Sequence, residues 1–121
     1  MSTTVMVVDD SFTIREQVSR ALEAAGYDVL QAVDGVDALE KYRASPQIAL
    51  VVCDVNMPRM SGIEFLEQAR EVGSAPVVML TTEGQVELIR RAKSLGASGW
   101  ITKPFKADLL VAAARKLAPQ G

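Results

Sequence analysis

The chain has no histidine, one cysteine (Cys53), one tryptophan (Trp100) and only 5% aromatic residues. Each scarcity removes a class of protein. Without histidine there is no catalytic triad with an imidazole base and no Cys/His zinc centre. One cysteine cannot close an intrachain disulfide, and a lone thiol inside an apolar run reads as a core side chain. A reducing, cytoplasmic setting is expected. No apolar run approaches the ~20 residues of a membrane-spanning helix. Met1-Ser2-Thr3-Thr4 leads into an apolar run with no basic segment of the kind that opens a signal peptide. Net charge is −2 and no Lys/Arg run interrupts the chain, so neither nucleic acid nor a membrane is expected as a partner.

What is present is enough for one core. The chain has 121 residues, 49% of them hydrophobic and 23% charged, the composition of an ordinary globular domain. Short apolar runs alternate with helix-period segments. The runs are Val5-Val8, Val29-Val33, Ile48-Cys53, Val77-Leu80 and Trp100-Ile101. The first, third and fourth are almost unbroken, as strands are when a parallel sheet is covered on both faces. The second carries Asp28 and Gln31 and the fifth is very short, so both read as edge strands. Between them, Ile14, Val18, Ala21, Leu22 and Ala25 share one helical face, with Gly26 as a stop. Asp34 caps a second helix through Leu39 and Tyr42 that ends before Pro46. Ser61-Gly62-Ile63-Glu64 is a capping box, and Thr82-Glu83-Gly84-Gln85 a weaker one. Val86, Ile89 and Leu95 mark the fourth helix and Leu110, Ala113 and Leu117 the fifth. The alternation predicts an α/β fold, a doubly wound five-stranded parallel sheet of flavodoxin-like (βα)5 type, in the order 2-1-3-4-5. One domain over residues 1–121 is expected, with no linker or second unit.

In such a fold, sites lie at the carboxyl ends of the strands. Asp9-Asp10 ends the first run, Asp54 the third, Thr81 the fourth and Lys103 the fifth. Taken singly, each is an ordinary cap, turn or surface residue. Jointly they put three carboxylates, a hydroxyl and an ammonium in one crevice. Clustered carboxylates repel and call for a cation. Oxygen donors without His or Cys suit Mg2+. A carboxylate beside Mg2+ and opposite a lysine is equipped for acyl-phosphate chemistry.

Four blocks carry a family resemblance. Val7-Val8-Asp9-Asp10-Ser11, the stretch from Asp54 through Asn56-Met57-Pro58-Arg59 to Gly62, Leu80-Thr81-Thr82, and Trp100-Ile101-Thr102-Lys103-Pro104-Phe105 together resemble the response-regulator receiver family in its single-domain, CheY-like form. The likeness runs from about Val5 to Leu117, and four blocks in order make it specific. It implies that Asp54 accepts a phosphoryl group from a histidine kinase or histidine phosphotransfer protein. It implies a Mg2+ site of Asp10, Asp54 and the backbone carbonyl of Asn56, with Asp9 acting through water. Lys103 would bridge the acceptor and the phosphoryl group, Thr81 would swing onto a phosphoryl oxygen, and Lys103-Pro104 would be cis. Trp100 stands where the family has Tyr or Phe as the switch aromatic, and Thr82 where a smaller residue is common. The resemblance further implies a monomeric cytoplasmic signalling protein, not an enzyme beyond its own phosphotransfer and autodephosphorylation. Its downstream protein target is unnamed, in chemotaxis, motility or another pathway.

Three other readings compete. A haloacid-dehalogenase-like phosphatase needs two aspartates one residue apart after its first strand; Asp9 and Asp10 are adjacent, and Asp54-Val55-Asn56 lacks the second carboxylate. A flavin-binding module needs a Ser/Thr/Gly phosphate loop where Asp9-Asp10 would repel the phosphate. A degenerate receiver serving only as a scaffold would have no use for the complete acidic set.

Overall fold

Runs that are apolar on both faces fit only in the interior of a covered sheet, and there the three valine-rich runs lie side by side. The computed structural model describes residues 3–82 and 86–120. The chain forms β1 (Thr4–Val8), α1 (Phe12–Ala24), β2 (Asp28–Ala32), α2 (Gly35–Ala44), β3 (Leu50–Asp54), α3 (Gly62–Ala69), β4 (Val77–Thr81), α4 (Val86–Ser94), β5 (Gly99–Thr102) and α5 (Ala107–Leu117). All paired strands are parallel and the sheet order is β2-β1-β3-β4-β5, as expected.

Strand alternation sorts the core into two layers. Met6, Val8, Val51, Cys53, Val77 and Met79 face Leu39 and Tyr42 of α2, Phe65 and Leu66 of α3 and Ala92 of α4. Val5, Val7, Leu50, Val52, Val78 and Leu80 face Val18 and Leu22 of α1 and Leu110 and Ala114 of α5. The buried Cys53 is a core thiol, as its neighbours predict. Gly26 and Gly96 take positive φ just past α1 and α4, where a side chain would strain the turn.

The local signals need adjustment in a few places. The second strand is one residue earlier than its apolar run, because Val33 turns outward ahead of the Asp34 cap. Ile48 belongs to a turn bonded to Ser45, so the third strand begins at Leu50. On α4 the packed residues are Leu88, Ala92 and, just past the helix, Leu95, while Val86 is exposed. Val86 is apolar but lies on the other side of the helix from that stripe. Ala114, rather than Ala113, is the buried alanine of α5. The Ser61 capping box is present in full. The weaker box proposed at Thr82 extends over positions 83–85, outside the described residues.

Candidate functional site

β1 and β3 are neighbours, and the chain order reverses between them, so their carboxyl ends open onto one crevice. Asp9 follows β1 and Asp54 closes β3; the two residues are 1% and 6% exposed, while Asp10 faces solvent. Carboxylate oxygens of Asp9, Asp10 and Asp54 lie within 4.8 Å of one another. Lys103, just past β5, reaches over β4. Its Nζ is 3.0 Å from Asp9 Oδ2 and 3.1 Å from Asp54 Oδ1. Its backbone amide donates to the Thr81 carbonyl, and the Lys103-Pro104 bond is cis. The five chemistry-bearing side chains predicted from sequence therefore stand at one end of the sheet. Asn56 lies on the exposed loop after Asp54, and its backbone N–H favours the charged form of the Asp54 carboxylate.

The electrostatics follow from this crowding. Burial, and then the charge of Asp9, push the Asp54 carboxyl up from the ordinary range, with Lys103 opposing. Burial would lower the Lys103 ammonium, but hydrogen bonds and charge from both aspartates outweigh it and leave it above its usual value. Burial, with Asp54 and Asp9 adding to it, also pushes the Cys53 thiol well up, so it stays a neutral, inert thiol. One ammonium thus faces three carboxylates. The donors are all hard oxygens, and Asp10 leaves the rim open to water, a set that fits Mg2+ and offers nothing to a softer metal. Thr81 Oγ1 is buried and has no hydrogen-bond partner among the described residues. A buried hydroxyl in that condition is costly unless a ligand supplies an acceptor.

The surrounding loops hold this geometry. A Cβ at Gly62 would collide with the carbonyl oxygen of Asp54, so only glycine lets α3 start against the Asp54 backbone. The Gly62 amide also donates to the Val55 carbonyl, closing the loop from behind. Two arginines take part that sequence reading passed over. Arg15 Nη1 donates to the Asp9 carbonyl at 2.8 Å and its Nε to Gln31 Oε1 at 3.2 Å, tying the Asp9-Asp10 turn to β2. Arg59 forks onto Asp34, Nε to Oδ2 at 2.6 Å and Nη2 to Oδ1 at 3.1 Å. Neither contact has a signal at short sequence separation; only Asp34 was legible, as a cap.

Trp100 lies on the other face of β5 from Ile101, which packs toward α1 and α5. The residue is 42% exposed, and its ring carries the Lys93 ammonium of α4 at 4.8 Å from its centroid. The indole is thus turned toward the fourth helix.

Fold and crevice define a flavodoxin-like α/β domain with an oxygen-lined, cation-competent acidic site at the sheet's switch point. Residues 5–115 match the family model of the response regulator receiver domain. The chain is 46% identical over 104 residues to a chemotaxis protein CheY of Treponema pallidum, covering 84% of this chain and 72% of that protein. It is 36% identical to chemotaxis protein CheY1 of Helicobacter pylori, covering 88% and 89%. The structure of chemotaxis protein CheY4 of Vibrio cholerae superposes with a TM-score of 0.89 at 38% identity, covering 97% of this chain and 99% of that one. The chain belongs to the response-regulator receiver family, the CheY-like phosphoacceptor modules of two-component signalling.

Proposed function

We propose that Asp54 is the phosphoryl acceptor of a stand-alone response regulator, and that Asp9, Asp10, Asn56, Thr81 and Lys103 serve it. The observation that carries this reading is the Lys103 bridge between Asp9 and Asp54, with a buried Thr81 hydroxyl at the same end of the sheet that has no hydrogen-bond partner among the described residues. Asp54 Oδ forms a bond to phosphorus while the phosphorus–nitrogen bond of a donor's histidyl phosphate breaks. The electron pair stays on the imidazole nitrogen, which takes a proton from solvent. With no histidine of its own, this chain receives the group from a histidine kinase or phosphotransfer protein.

Asp10, Asp54 and the carbonyl of Asn56 would hold Mg2+, with Asp9 contributing through water. When bound, Mg2+ supplies positive charge against the phosphoryl oxygens. Lys103 holds Asp54 in place and offers its ammonium to the same oxygens. Thr81 gains the acceptor it lacks by turning its hydroxyl onto the phosphoryl group, and the space it leaves admits the Trp100 ring. Slow attack by water on the acyl phosphate then resets the protein. The chain acts in the cytoplasm as a monomer, signalling by protein contact rather than to nucleic acid or membrane; no described helix is long and apolar enough to cross a membrane. The chemotaxis relatives favour a motility pathway.

Incubation with acetyl phosphate and Mg2+ should add one hydroxylamine-labile phosphoryl group, seen by intact mass. Asp54→Ala should add none; labile phosphate at the wild-type rate in that variant would overturn the assignment.

A further inference from the structure

The loop that carries Asn56 is held at its far end by an unusual device. Arg59 is the only non-glycine residue with positive φ among the described residues, at 65°. The Met60 amide donates to the Pro58 carbonyl at 2.7 Å, closing a three-residue turn around Arg59. A positive φ at the centre of such a turn is a strained backbone for any residue with a Cβ. Strain of this kind persists only where surrounding contacts over-determine it.

Those contacts come from one place. The Arg59 guanidinium makes its two-pronged ion pair with Asp34, whose side chain is buried at the start of α2. Asp34 also caps α2 through the Asp37 amide, so it is itself fixed. Beside it, the Gly35 amide donates to the Met60 carbonyl at 3.2 Å. A Cβ at Gly35 would come within 2.6 Å of that same oxygen. The β2–α2 turn is therefore pressed against the loop following Asp54, and the fork pins the strained residue to it. The other end of the loop is Asp54, with Gly62 closing behind it.

We propose that the Arg59–Asp34 pair is a positioning clamp that holds the Asp54–Ser61 loop in its cation-binding form. Neither residue touches the acceptor. Arg59 acts through the backbone that aims the Asn56 carbonyl, and Asp34 acts through Arg59. The inference rests on the Mg2+ site proposed above.

Charge and clamp make opposite forecasts, which makes the idea testable. Removing a cation near an acidic cluster should tighten Mg2+ binding if simple electrostatics governs. Removing a clamp should weaken it. Calorimetric titration of Mg2+ into wild type and Arg59→Ala should show the dissociation constant rising about 10-fold, the loss typical when a support behind a metal ligand is removed. Arg59→Gly, which adopts the left-handed turn without a Cβ, should lose less affinity. Arg59→Lys should recover part of the loss only, since an ammonium cannot fork. Asp34→Asn, which still caps α2, should match Arg59→Ala, and the double variant should lose no more than either alone. Circular dichroism without Mg2+ checks the fold of each; should Arg59→Ala not fold, Arg59→Gly carries the same opposed signs. Mg2+ binding equal to or tighter than wild type in the folded arginine variant would overturn the clamp. Failure of the wild type itself to bind Mg2+ would overturn the metal site on which the clamp rests.

Discussion

Between α3 and the α4–β5 edge the packing thins. Every residue of β3 is buried, and α3 buries Gly62, Ile63, Phe65, Leu66 and Ala69. The first three helices begin at Ser11, Asp34 and Ser61, each accepting a backbone hydrogen bond on its side chain. On the other side, β5 alternates half-buried and exposed residues, and Ala92 is the one fully buried residue of α4. α5 begins at Lys106 without a side-chain cap. Val86, Trp100 and Leu109 are 61%, 42% and 57% exposed there. The exposed Phe12 and Val33 are isolated exceptions on the better-packed side. The difference separates two tasks. The acceptor chemistry proposed for Asp54 needs Asp9, Asp54 and the Asn56 loop held in one geometry, and dense packing around β3 and α3 provides it. A readable signal needs an element with two states of similar free energy, and the thinly packed α4–β5 edge can have them.

The comparison breaks if both sides respond alike to loss of the same side chain. Leu66→Ala, at a fully buried site on α3, should cost about 2–5 kcal/mol in urea unfolding. Leu88→Ala, on the half-buried stripe of α4, should cost less than half as much. Equal losses would mean that α4 is as firmly seated as α3.

Next in size is the response to metal. Clustered carboxylates repel in the metal-free protein, so Mg2+ at about 100 times its dissociation constant should stabilise the fold by ~2.7 kcal/mol. Asp10→Asn removes a ligand and some of the repulsion together, so its melting temperature should shift less on adding Mg2+. Equal shifts in the two proteins would contradict the assigned ligands.

Smaller again is a pH effect at the loop clamp. The Arg59 guanidinium holds the Asp34 carboxyl below the ordinary range, against burial. A lowered folded-state pKa contributes stability that is present above the unfolded value, about 3.9, and is lost as pH falls through the folded one. Wild type should thus exceed Asp34→Asn in stability by a constant margin above about pH 5, and the margin should close in more acidic solution. Urea melts across that range would show it; a margin unchanged down to the acid limit would remove the ion pair from the account.

Much of the tightly packed side was legible in the sequence, because its rules are local. Unbroken valine runs announced the central strands, the polar second run and the short fifth announced the edges, and Asp34 and Ser61 announced their helices. The Asp9, Asp10, Asp54, Thr81 and Lys103 set was legible because topology brings strand ends together. What sequence missed depends on contacts between distant segments. Arg59 reads as a surface arginine until a left-handed turn aims it at Asp34, 25 residues earlier in the chain. Arg15 reads as the polar side of a helix until it meets the Asp9 carbonyl. Val86, Ile89 and Leu95 marked the helix but did not fix its buried stripe, because a short and weakly packed helix has too few buried positions to set its phase.

The most direct test of the division between chemistry and signal is the emission of Trp100, the sole tryptophan. Beryllofluoride with Mg2+ serves as a mimic of the phosphoryl group proposed for Asp54. If Thr81 turns onto the mimic and frees space beside β5, the indole should leave its exposed position over Lys93, and its intensity or collisional quenching should change. Thr81→Ala should blunt that change while leaving the mimic bound. An indole signal unaltered at saturating mimic, in protein shown to bind it, would contradict the coupling.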